Sequence, residues 1–74
     1  MAPTKLLSQA EADVLEGLID HKSLGSVLET LAAICYLKAT HAEEDWQDAA
    51  LARRWDRAGK KLDKTAGDVR GLVD

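Results

Sequence analysis

The chain has no phenylalanine, one proline, one cysteine and one methionine among its 74 residues. With Cys35 alone, an internal disulfide is excluded, and a single cysteine among apolar neighbours reads as a small core residue. Pro3 is the only residue that breaks a helix covalently, and it stands near the amino terminus. No apolar run reaches the length of a membrane span, and Met1 to Leu7 lacks the apolar stretch of a secretory signal. The expectation is therefore a cytoplasmic protein with no membrane partner. Neither sign of charge dominates: 13 acidic against 10 basic residues leave a formal charge of -3. That balance weighs against bulk nucleic-acid binding while leaving room for a local basic face. A glycine-rich phosphate loop is also missing, and nothing supplies an oxyanion hole, so no catalytic residue, cofactor or enzymatic activity is expected.

Alanine, leucine, lysine, arginine and acidic residues fill the space these absences leave, which is the composition of helical bundles. A chain this short buries only about 60% of the surface its unfolded form exposes, so its core is thin. Without a disulfide, the usual remaining staple is oligomerisation. The fold expected is all-α, with two or three helices forming a helical hairpin or small bundle over residues 1–74 as a single domain, completed by dimerisation.

Ser8-Gln9-Ala10-Glu11 fits a capping box and starts a helix over about 9–20, with Val14, Leu15, Leu18 and Ile19 on one stripe. Ser23 or Ser26 caps a second helix over about 24–43, and Glu29 completes a second possible box with Ser26. In it Leu24, Leu28, Leu31, Cys35 and Lys38 fall at alternating four- and three-residue steps, widened by Val27, Ile34 and Leu37. Asp45 or Asp48 caps a third helix over about 47–66, whose stripe runs Leu51, Trp55, Ala58, Leu62, Thr65, Val69 and Leu72. The two stripes are out of phase, which favours a break; one continuous helix from Leu24 to Thr65 is the alternative. Gly59, Gly67 and Gly71 each cost about 1 kcal/mol relative to alanine in a helix, so the tail 67–74 is expected to be weakly ordered.

Four groups are candidate sites. His41, Glu44, Asp45 and Asp48 could supply metal ligands, but their order is the reverse of the Glu-x-x-His of bundle metal sites, and an acidic helix start explains them. Cys35 and His41 lie about 120 degrees apart around a helix and do not pair. Leu24, Leu28, Leu31, Cys35, Leu51, Trp55 and Leu62 are the expected self-association surface. Arg53, Arg54, Arg57, Lys60, Lys61 and Lys64 lie roughly opposite the third stripe as a basic face for nucleic acid or an acidic partner, interrupted by Asp56 and Asp63. Trp46 is a staple at the helix junction or an exposed anchor for an unknown protein partner.

Leu18-Ile19-Asp20-His21, Leu24-Gly25-Ser26-Val27-Leu28-Glu29, Ile34-Cys35, Lys38-Ala39-Thr40-His41 and Trp46-Gln47-Asp48, followed by Trp55, together resemble a group of short uncharacterised bacterial helical proteins with a Trp-Gln-Asp turn. The resemblance covers Leu18 to about Leu62. It implies a bacterial, cytosolic, helical protein and carries no activity across. The functional expectation is a non-enzymatic, homodimeric adaptor or scaffold. A nucleic-acid-associated regulator using the basic face and a small protein inhibitor of phage type are the alternatives.

Overall fold

The computed structural model describes residues 6–73; residues 1–5 and 74, the ends of the expected domain, lie outside the described residues. Three helices follow one another, α1 (Gln9–His21), α2 (Leu24–Glu44) and α3 (Ala49–Arg70), with no strand among the described residues. Local polar chemistry sets each start. The Ser8 hydroxyl accepts from the Glu11 amide at 3.2 Å, and the Glu11 carboxylate accepts from the Ser8 amide at 2.8 Å, closing the capping box. The Ser8 amide donating to the Glu11 carboxylate, and secondarily the Ser8 hydroxyl beside it, hold the Glu11 carboxyl below its ordinary value of 4.5. Ser23, not Ser26, caps α2, its Oγ accepting from the Ser26 amide at 3.0 Å. Glu29 accordingly forms no second box and instead pairs with Arg70 at 2.9 Å. Asp48, not Asp45, caps α3, its carboxylate accepting from the Leu51 amide at 3.0 Å.

The break between α2 and α3 is real although no glycine or proline marks it. Gln47 takes the left-handed conformation, with φ 50, and the Asp48 amide donates back to the Ala42 carbonyl at 2.8 Å. This reversal folds α3 antiparallel onto α2, so that Glu29 meets Arg70 and Tyr36 meets Asp63.

The interface of this hairpin follows a 3.5-residue period. On α2 it runs Gly25, Leu28, Ala32, Cys35, Ala39 and Ala42, and on α3 Ala52, Trp55, Gly59, Leu62, Ala66 and Val69; each is buried or half-buried. Ala32, Ala42 and Ala66 reach zero exposure, while no large side chain is fully buried. Small residues at alternate seam positions let two backbones approach closely, and the larger ones flank them. The seam therefore differs by up to a position from the stripes read from the large aliphatics, leaving Leu24, Leu31, Leu51 and Ala58 at its side. Gly59 shows why. A Cβ built there would lie 2.7 Å from Cε1 of Tyr36, so the glycine is required by the ring packed on it. Gly67 has no neighbour within 4 Å of such a Cβ, and α3 passes through it to Arg70, four residues beyond the expected end at 66. The Arg70 and Glu29 ion pair ties that last turn to α2.

Helix α1 packs on α2 alone and has no buried residue. The three helices thus form an open layer, 38 × 27 × 21 Å, rather than a closed bundle. The radius of gyration is 14.1 Å, against about 11 Å for a compact chain of this length. No helix among the described residues is long and apolar enough to cross a membrane.

Candidate interaction surfaces

The side chains expected to mediate self-association divide between the hairpin and its outer surface. Cys35 is buried and Leu28, Trp55 and Leu62 are half-buried on the α2/α3 seam, where they hold one chain together. Leu24 and Leu51 are half-buried beside it. Leu31 is exposed and turns toward α1.

There it joins a surface that a single-stripe reading of α2 hides. Val27, Leu31 and Ile34 repeat at four- and three-residue steps, forming a second apolar stripe on the side of α2 away from the seam. Leu15 and Leu18 of α1 stand across from them, and the five side chains line an open groove of about 240 Å³ edged by Lys22, Ser26 and Thr30. Leu18 and Ile34 remain 48% and 46% exposed although they line this groove, so α1 only half covers the stripe. Leu15, Leu18, Val27 and Ile34 were absent from the expected self-association set. The signal that finds them is that α2 is apolar on two faces, one more than a hairpin partner can bury.

One edge of the hairpin carries a polar clasp. The Tyr36 hydroxyl donates to the Asp63 carboxylate at 2.8 Å while its ring rests on Gly59. That hydrogen bond, reinforced by desolvation and by the charges of Asp63 and Asp56, pushes the Tyr36 pKa above its ordinary value of 10.0. Beside it Ala39, Thr40, Glu43, Ala52, Arg53 and Asp56 line a shallow, wide-open depression.

All six cations of α3 proposed as a basic face are exposed. Lys60 pairs with Asp56 at 3.0 Å, and none of the other five has a carboxylate within 4.0 Å among the described residues. Trp46, at the turn between α2 and α3, is 63% exposed, and its backbone amide donates to the His41 carbonyl at 3.3 Å. His41 lies 3.9 Å from Asp45, and no group of three or more His, Cys, Asp or Glu among the described residues is placed to hold a metal ion.

No family model, curated protein or solved structure matches this chain, so the resemblance drawn from the Trp-Gln-Asp turn rests on its own residues.

Proposed function

We propose that this chain is a non-enzymatic helical interaction module that pairs with a second copy of itself through the α1/α2 groove and serves as an adaptor or scaffold in the cytosol. The observation that carries the reading is the uncovered apolar lining of Leu15, Leu18, Val27, Leu31 and Ile34. One chain of 8.0 kDa exposes 5956 Å², about 1,500 Å² more than a compact monomer of that mass. Part of the excess belongs to exposed ends such as Leu6, Leu72 and Val73. The open flank of α1 adds to it, and a stable interface needs about 800 Å² from each partner.

A two-fold axis through the groove brings α1 and α2 of one chain against α1 and α2 of the other, converting two open layers into a four-helix core. A second copy suits the groove because the same aliphatic side chains then fill both sides, as an isologous contact requires. Helix α3 is left outside on both protomers, available to other partners. Light scattering over a micromolar concentration series tests this reading. The expected mass is twice 8.0 kDa, with dissociation only on dilution. A cooperatively folded monomer at every concentration would overturn it.

A further inference from the structure

We propose that the outer face of α3 is a docking surface for the phosphodiester backbone of duplex nucleic acid, an inference that stands whether or not the chain dimerises. Arg53, Arg54, Arg57, Lys60, Lys61 and Lys64 occupy every position of α3 opposite the seam between residues 53 and 64. In the linear sequence Asp56 and Asp63 interrupt this series; in the fold they stand along its α2 edge, Asp56 paired with Lys60 at 3.0 Å. Asp63 accepts from the Tyr36 hydroxyl, and Asp56 lines the depression beside Tyr36 together with Arg53, which marks the α2 edge of the basic face. What remains is a cationic strip about 16 Å long with one of its six charges paired, over which each strand of a duplex carries about five phosphates.

The surroundings sharpen this polarity. Helix α3 carries seven cations against three carboxylates, whereas the rest of the chain carries three cations against ten carboxylates. A polyanion is thus drawn to one face and repelled from the others. The strip also contains no aromatic or aliphatic side chain. Protein interfaces take most of their energy from such anchors, while phosphate contacts need only positioned charge. That favours a nucleic-acid backbone over an acidic protein, and it predicts binding without sequence preference, because nothing on the strip is placed to read base edges.

The test uses the full chain and a fluorescent duplex of about 20 base pairs, several times the length of the strip. With the five cations that have no carboxylate partner among the described residues engaged, the logarithmic salt slope is expected near −4.5, so affinity falls about 500-fold between about 50 and 200 mM salt. The triple variant Arg57→Ala, Lys61→Ala, Lys64→Ala alters only exposed side chains and should keep the circular dichroism of the parent. Its slope should fall to about −2. Three results would overturn the proposal: no binding at about 50 mM salt, an unchanged slope in the triple variant, or equal affinity for poly-glutamate, which would assign the face to an acidic protein.

Discussion

Gly59 and Gly67 are the same residue in the same helix, yet they do opposite things. At Gly67 an added methyl meets nothing, so Gly67→Ala should stabilise the chain by about 0.5–1 kcal/mol through helix propensity and a less entropic unfolded state. At Gly59 the methyl would meet Cε1, Cζ and Cδ1 of Tyr36 at 2.7, 2.9 and 3.0 Å. Overpacking of this kind costs about 1–3 kcal/mol, so Gly59→Ala should lower the thermal midpoint despite its better propensity. Comparative melting of the two variants decides the matter, and equal stabilisation by both would show that Tyr36 does not rest on α3. Roles set by near neighbours in the chain, such as the Ser8 and Glu11 box, were legible in the sequence because both partners lie within one turn. The role of Gly59 was not, since the ring that imposes it comes from the facing helix.

At the scale of the elements, the three helices and the break between the last two were readable from caps and phase. The seam was displaced by up to a position. Large aliphatic residues mark where a helix wants to leave water, whereas small ones mark where two backbones meet, and here the two patterns lie on different faces of α2. The clasp between Tyr36 and Asp63 joins α2 to α3 at the edge of that seam. Because the folded pKa of Tyr36 is raised, the stability this clasp contributes is fully present below the ordinary value of 10.0 and is lost as pH rises through the folded value. Tyr36 is the only tyrosine, so its phenolate absorbance can be followed without ambiguity. Titration in Asp63→Asn should move the midpoint down toward the ordinary value and remove the alkaline loss of stability attributable to this residue. An unchanged midpoint would mean that the hydroxyl does not donate to Asp63.

On the scale of the whole molecule, the arrangement is a well-closed hairpin with a poorly closed flank. Two helices meet over alanine, glycine and cysteine and hide almost nothing large, while Leu18, Ile34 and Leu37 stay about half exposed. Burial of aliphatic surface is worth about 25 cal/mol per Å², which is the physical ground for the proposed pairing with a second copy. The expectation of a partner came from length and composition, because a short chain without a disulfide has few other sources of stability. Which face closes the hairpin and which stays open was not legible, because Leu28 and Leu31 look equivalent in the sequence and are separated only by the packing of α3.

That distinction gives the most direct test of the account. Sedimentation equilibrium and circular dichroism of Ile34→Asp and Leu28→Asp should separate the groove from the seam. Ile34→Asp should sediment as a monomer that keeps its helical spectrum, since a charge in the open groove opposes pairing but remains solvated within one chain. Leu28→Asp should lose helical signal, because its carboxylate would be driven into the hairpin. An Ile34→Asp protein that sediments with the same mass and concentration dependence as the parent would contradict the groove as the site of self-association.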